Sequence, residues 1–449
     1  MDVVTAWSAA SEALGGDLCE VTVRNVVRPV VSGTGLRVRL TNALGDRTVH
    51  FGHVYVGVPR EGPALEPGSN RLVTFSGSPE VRLPPGATAL SDPISEAAPQ
   101  GTSQDVPHTT ARNTIARNMI ARNTIARYTV RGPTPHPGRD PGQTPASDLV
   151  RAGRRLAVSV YLRGPGGVLT GRNRATAPAH PPPTLPTGVR ETAGVQEAAG
   201  VQEAAGVREA AGMREPAGAP SYRSVRGDHA GDESGEAFVE ETTVWHWLDA
   251  LTVVPAEPPV RVVAALGDSI TTGVGSRTGH GWPDFLSAGT GLAVVNEGVS
   301  GGKVLTAGTG RPAEARLTAE VLIKPGITTV IVQAGINDLG AGARAEDLIA
   351  AYRRMAAAAR AAGVRLVGGT ITPYEGAEYH TASGERARQE VNACLRRGGV
   401  FDAVADFDAA LRDPAHPARL LPAYDSGDHL HPSTAGHHAM ATAVPLPHL

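Results

Sequence analysis

The chain has 449 residues, 41% apolar and 19% charged, enough for two or three domains of roughly 100–200 residues each. Its 42 basic and 44 acidic residues leave a net charge of -2, which argues against a protein that binds nucleic acid through bulk charge. Two cysteines, Cys19 and Cys394, exclude a disulfide framework and a four-thiolate zinc site, and read as buried free thiols.

The N-terminus, Met1-Asp2-Val3-Val4-Thr5-Ala6-Trp7, has neither a basic n-region nor a continuous apolar h-region, so no signal peptide is visible. No run approaches the ~18 apolar residues of a membrane-spanning helix. Residues 20–90 read as β-structure. Val21 to Val31 is valine-rich, Leu36-Val38-Leu40 alternates with Arg37 and Arg39, and a run from Val49 to Val58 follows a Gly-Asp turn. Leu72 to Phe75 and Val81 to Leu83 are each closed by Gly or Pro. Short period-2 runs between turn residues predict an antiparallel sandwich. Leu156 to Leu162 and Thr242 to Leu248 read as further strands of it.

Two stretches interrupt the pattern. Residues 111–130 repeat a five-residue unit of the type Ala-Arg-Asn-Thr-Ile, and residues 193–216 a six-residue unit of the type Ala-Gly-Val-Gln-Glu-Ala. Neither spacing holds an apolar face on a helix or a strand, and neither matches a solenoid period. With their Pro-rich flanks they read as low-complexity inserts near 98–147 and 166–219, whose deletion is expected to change melting temperature little.

A boundary falls at Pro255-Ala256-Glu257-Pro258-Pro259, separating a sandwich domain over 1–255 from a second domain over 258–449. In the second, Val262 to Leu266, Leu292 to Val295, Thr329 to Val332 and Val364 to Val367 are continuously apolar, with helical patterns such as Ala345 to Ala362 between them. Strands apolar on both faces, alternating with helices, predict an α/β domain with a parallel sheet covered on both sides. Its chemistry is expected outside the carboxyl ends of the strands.

Polar residues gather at those ends. The first three strands end in Gly267-Asp268-Ser269, in Asn296-Glu297-Gly298-Val299-Ser300-Gly301-Gly302, and in Gly335-Ile336-Asn337-Asp338. Near the C-terminus stands Asp425-Ser426-Gly427-Asp428-His429-Leu430-His431-Pro432. Two serines compete as nucleophile. Ser300 fits the G-x-S-x-G elbow of α/β-hydrolases, whereas Ser269 follows the first strand. Asp428 and His431 are three residues apart, so one loop can present an imidazole with a carboxylate behind it, which favours Ser269. Ser300 then reads as a turn residue. Asp268 and Asp338 read as loop-holding carboxylates. His429, His431, His437 and His438 with Asp425 form a weaker metal-cluster alternative, with His437 and His438 in a predicted C-terminal helix. Glycines 273, 275, 279 and 281 resemble a phosphate loop, but no G-x-x-x-x-G-K-[ST] pattern occurs. Trp282 and Phe285 read as packing residues of a helix.

The four blocks, Gly267-Asp268-Ser269, Asn296-x-Gly298-x-Ser300-Gly301, Gly335-x-Asn337-Asp338 and Asp428-x-x-His431, in this order, resemble the GDSL or SGNH hydrolase family over about residues 258–440. The β-rich N-terminal half looks like the sandwich domain of a bacterial, actinomycete-type subgroup. The resemblance implies a three-layer, flavodoxin-like catalytic domain and a serine ester hydrolase without cofactor or metal. It implies Ser269 as nucleophile, His431 as base, Asp428 as its orienting acid, and an oxyanion hole from the N–H groups of Ser269 and Gly301 with the Asn337 amide. Small-molecule or glycan esters are the expected substrates. A carbohydrate O-deacetylase of the same fold, and a glycan-binding protein with an inert hydrolase domain, stand as alternatives. As written the chain is expected in the cytoplasm; the resemblance suggests secretion, with any signal upstream of Met1.

Overall fold

The computed structural model describes residues 2–94, 149–173, 220–258 and 260–449. The insert expected over 98–147 lies outside these residues, as does most of the one expected over 166–219.

The N-terminal half is antiparallel β-structure. Its strands in chain order are β1 (Val4–Ser8), β2 (Glu12–Leu14), β3 (Val21–Val27), β4 (Gly33–Thr41), β5 (Val49–Gly57), β6 (Arg71–Val73), β7 (Val81–Leu83) and β8 (Thr88–Leu90). After the first undescribed stretch come β9 (Leu156–Leu162) and β10 (Leu169–Asn173), and after the second β11 (Ser221–Arg226), β12 (Phe238–Thr242), β13 (Val244–His246) and β14 (Leu248–Pro255). One sheet runs β12-β11-β3-β9-β5-β6, with β7 on β5; a second runs β1-β14-β4-β8; a small third runs β13-β10-β2. Inward residues of the two larger sheets, among them Val23, Val38, Phe51, Val158, Val160 and Leu251, join one buried core. Removing such alternating apolar positions from water is what drives the pairing.

Three expectations need correction. The strand expected over 242–248 is broken, because Trp247 takes a left-handed φ of 54° that ends β13 and starts β14 in another sheet. The kink seats the Trp247 ring edge-on to Phe51 at 5.5 Å, a packing gain that offsets the cost of a positive φ. The second insert begins too early at residue 166, since Leu169–Asn173 is the central strand of the small sheet, with Leu169 and Arg172 buried. A deletion of 166–219 is therefore expected to lower the melting temperature by on the order of 10 °C relative to a deletion of 180–215. It removes the central strand of the small sheet with its buried Leu169, and loss of one such apolar side chain alone costs about 2–5 kcal/mol. Equal melting temperatures for the two deletions would contradict that. Third, Cys394 is a buried free thiol as expected, but Cys19 is exposed.

The C-terminal half carries β15 (Val262–Gly267), β16 (Ala293–Gly298), β17 (Ile327–Gln333), β18 (Arg365–Gly369) and β19 (Ala403–Ala405), all parallel, in the order β16-β15-β17-β18-β19. The helices are α1 (Ser269–Thr272), α2 (Trp282–Thr290), α3 (Ala313–Arg316), α4 (Ile336–Gly340), α5 (Ala345–Ala361), α6 (Ala382–Arg396), α7 (Phe407–Leu411) and α8 (Thr434–Thr442). β15 is buried at every residue, as its continuous apolar run requires. The chain leaves β15 toward one edge for β16, then crosses back for β17 and continues to the other edge. Because crossovers between parallel strands are right-handed, a reversal of this kind puts helices on both faces of the sheet and opens a crevice at the carboxyl end of β15. α2 packs on β16 and α8, and α5 on β18 and α6. No helix among the described residues is long and apolar enough to cross a membrane.

The two halves share a polar, buried seam along β16. Thr5 donates its backbone N–H and its hydroxyl to the Pro325 carbonyl, both at 2.8 Å, and the Ala13 N–H donates to the Thr309 carbonyl at 2.7 Å. Glu297, fully buried, accepts from the Ser8 hydroxyl and the Lys324 ammonium. Burial alone would raise the Glu297 carboxyl, but Lys324 beside it holds it below the ordinary carboxylate range.

Candidate active site

Three of the four polar blocks meet at the crevice because each follows one of three adjacent strands. Ser269 is the first residue of α1, directly after β15. Asp268 caps that helix, its Oδ1 accepting from the Ile270 N–H at 3.0 Å. The fourth block is the loop before α8. The Ser426 N–H donates to the His431 carbonyl at 3.1 Å and the Ser433 N–H to the Tyr424 carbonyl at 2.7 Å, which folds the loop back on itself. Gly275 makes its approach to this loop possible: at φ 91° it has no Cβ, and one would lie 2.5 Å from the Pro432 carbonyl oxygen and 2.9 Å from His431 Cβ.

Ser269 Oγ lies 2.8 Å from His431 Nε2, and His431 Nδ1 lies 2.6 Å from Asp428 Oδ2. The other Asp428 oxygen accepts from the backbone N–H of Leu430 at 3.0 Å and of His431 at 2.8 Å. Partial burial works against the Asp428 charge, but the His431 donors hold its carboxyl well below the usual range. An ionised carboxylate on Nδ1–H leaves Nε2 as the acceptor facing the Ser269 hydroxyl. The chain reverses locally in two residues on this loop, Gly427 at φ 110° and His429 at φ 61°.

Ser300 sits elsewhere. Its hydroxyl faces that of Thr272 at 3.5 Å and its carbonyl accepts from Thr309 Oγ1 at 2.9 Å. The positive φ of this turn, 69°, falls on Gly301, whereas a nucleophile elbow puts the sharp turn at the serine itself. A Cβ on Gly301 would meet nothing within 4 Å, so its backbone faces open space. The Asn337 amide donates from Nδ2 to the Gly302 carbonyl at 3.0 Å, which ties the loop after β17 to the loop after β16.

Asp338 accepts from the backbone N–H groups of Val304 at 2.8 Å and Leu305 at 2.9 Å, the loop-holding use expected for it. Three histidines of the metal-cluster alternative go to separate partners. His429 Nδ1 is 2.6 Å from Asp425 Oδ2, His437 Nε2 donates to the Val274 carbonyl at 3.0 Å, and the His438 ring stands edge-on to Phe285 at 5.6 Å. Burial pushes the His437 imidazole down to about 4, so it is a neutral packing residue of α8. Trp282 is fully buried against Phe407.

Sequence reading missed Tyr379, whose hydroxyl donates to Asn337 Oδ1 at 3.3 Å and so fixes which way the amide points. Nothing local marks it, because it belongs to the loop between β18 and α6 rather than to a strand end. Asn296 was noted in its block without a use: its Nδ2 donates to the Thr271 carbonyl at 2.7 Å, and its Oδ1 accepts from the Gly298 N–H at 3.0 Å.

Asp268 is fully buried, and its Oδ2 has no partner among the described residues. Desolvation raises its carboxyl to about 7, against the opposing pull of the Ile270 N–H. A carboxyl raised on folding stabilises the fold fully below its unfolded pKa of ~3.9, and that contribution is lost as pH rises toward 7. Asp268→Asn, which keeps the cap, is thus expected to gain melting temperature relative to the parent chain between pH 4 and pH 8. A difference that stays flat over that range would mean the carboxyl is not held neutral.

Residues 265–439 match the family described as GDSL-like lipase/acylhydrolase. The C-terminal half thus carries a GDSL-like domain. Solved structures similar to it include a Desulfitobacterium hafniense chain described as a lipolytic protein of the G-D-S-L family, at 24% identity over 40% of this chain and 96% of that one, with a TM-score of 0.34. An acetylxylan esterase from Geobacillus stearothermophilus is 22% identical over 41% of this chain and 91% of that one, TM-score 0.31. The aryl esterase of M. smegmatis is 15% identical over 41% and 96%, TM-score 0.33. No curated protein sequence matches the chain.

Proposed function

We propose that the GDSL-like domain is a serine ester hydrolase that works through an acyl-enzyme. The observation that carries this is the relay from Ser269 Oγ to His431 Nε2 at 2.8 Å and from His431 Nδ1 to Asp428 at 2.6 Å, at the carboxyl end of the parallel sheet. Ser269 Oγ adds to the ester carbonyl carbon while His431 Nε2 takes the hydroxyl proton. Asp428 keeps the imidazole in the Nδ1–H tautomer and stabilises the imidazolium. The bond from the carbonyl carbon to the alcohol oxygen then breaks, and His431 returns its proton to the leaving alcohol. Water, deprotonated by His431, cleaves the acyl-serine and restores Ser269.

Negative charge on the former carbonyl oxygen calls for donors beside Ser269. The Ser269 N–H is available as a first-turn helix N–H with no intrahelical acceptor. The Gly301 N–H and the second hydrogen of Asn337 Nδ2 complete the proposed hole. No step in this sequence requires a metal or an organic cofactor.

The test is a panel of p-nitrophenyl esters of increasing acyl length, run beside acetylated xylan. Turnover of any of these, with release of the free acid, is the expected result. Failure on every ester together with retained glycan binding would put the inert, glycan-binding alternative in its place.

A further inference from the structure

We propose that Arg172, on the β-sandwich side of the seam, is a positioning residue of the hydrolase site, acting through Asn296 on the helix that carries Ser269. The inference rests on the ester-hydrolase reading and gives the N-terminal half a part in catalysis. Arg172 is 4% exposed and lies on β10, between β13 and β2. It reaches across the seam to β16, where one guanidinium nitrogen donates to the Asn296 backbone carbonyl and the other to Asn296 Oδ1 at 3.0 Å. A planar fork with two parallel donors fixes the amide plane in a way a single ammonium cannot.

With Oδ1 held by Arg172 and the Gly298 N–H, Asn296 Nδ2 is left to face α1, and it donates to the Thr271 carbonyl at 2.7 Å. That carbonyl belongs to a helix of four residues whose first is Ser269, and Thr272 Oγ1 ties the same turn to the Ser269 carbonyl at 2.7 Å. So short a helix has few bonds of its own, and an outside partner sets where its first residue points. The same sandwich strands flank the oxyanion loop. Glu12 on β2 lies beside Arg172 and the Ser300 backbone, and the neighbouring Ala13 N–H bonds Thr309, whose hydroxyl holds the Ser300 carbonyl. Buried charge in a domain seam is costly unless paired, and a simple packing contact would not require it. Both terminal nitrogens of this guanidinium bond one residue, while Nε bonds nothing among the described residues, and that one residue is one link from the nucleophile's helix.

The experiment compares Arg172→Lys, Arg172→Met, Asn296→Ala and the double variant Arg172→Met/Asn296→Ala in the full chain. It reads kcat, KM, melting temperature and the second-order rate of labelling by a fluorophosphonate. Each single variant is expected to lose about 10–100-fold in kcat and in labelling rate, with KM within about twofold, at temperatures where it is folded. Arg172→Met on the Asn296→Ala background is expected to cost less than about twofold more, because both cut one chain of contacts. A role in stability alone would lower the melting temperature, leave labelling of the folded fraction unchanged and give independent, multiplying effects. That outcome would overturn the inference. Should Arg172→Met fail to fold, Arg172→Lys, which keeps the charge beside Glu12, and Asn296→Ala, which removes none, decide it by the same readouts. Absence of labelling in the parent chain would instead refute the ester-hydrolase reading and this inference with it, whereas normal labelling in the parent and all variants would refute this inference alone.

Discussion

Ser269→Ala is expected to lower ester turnover by about 10⁶-fold in kcat, leaving the small residual rate that oxyanion donors and binding supply without a nucleophile, with the melting temperature little changed. The size follows from the site's construction. In the proposed mechanism every proton transfer by His431 depends on attack by the Ser269 oxygen or on the acyl-serine it forms, so removing that oxygen idles His431 and Asp428 together. Ser269 is 8% exposed and makes its hydroxyl contact with His431, so alanine leaves no buried polar group stranded except an imidazole that is already paired with Asp428. Ser300→Ala is expected to keep turnover within about an order of magnitude, since its hydroxyl has only a 3.5 Å contact with Thr272 to lose. Steady-state kinetics on the best p-nitrophenyl ester distinguishes the two. A Ser300 variant as inactive as the Ser269 variant would point to an α/β-hydrolase elbow.

Asn337→Ala is expected to lower kcat by about 10²–10³-fold with KM little changed, the cost of one oxyanion donor. The residue follows the buried strand β17, and its Nδ2 keeps one hydrogen for the Gly302 carbonyl. An amide so placed helps most when the substrate oxygen carries full negative charge. Asn337→Asp is expected to be worse, because a carboxylate repels that charge. A raised KM with kcat unchanged would show that the amide binds the ester in its ground state, and its assignment to the transition state would fall.

The chemistry-bearing blocks were legible because each is short and local, and three of the four are attached to a strand whose apolar run marks it as buried. Asp428 and His431 need only a three-residue spacing to meet, and Ser269 and Asn337 need only neighbouring strands. What supports them was not legible. Arg172 sits in a five-residue strand beside a repetitive stretch, and its partner Asn296 is 124 positions away. A lone arginine there has the local pattern of a solvated loop residue, and only the pairing of β10 with β2 and β13 turns it toward β16. The strand β1 was missed for a related reason: its register shifts between Thr5 and Trp7, which breaks the alternation that marks a half-buried strand. The kink at Trp247 asks a bulky residue for a left-handed φ, a conformation that no propensity predicts and that packing against Phe51 has to supply.

The central claim is that one activated serine, Ser269, lies at the switch point of the parallel sheet. Fluorophosphonate treatment of the full chain, followed by intact mass measurement and peptide mapping, addresses it directly. A single adduct on Ser269, lost in Ser269→Ala and retained in Ser300→Ala, is the expected result. An adduct on Ser300, or no adduct on a folded chain, would contradict it.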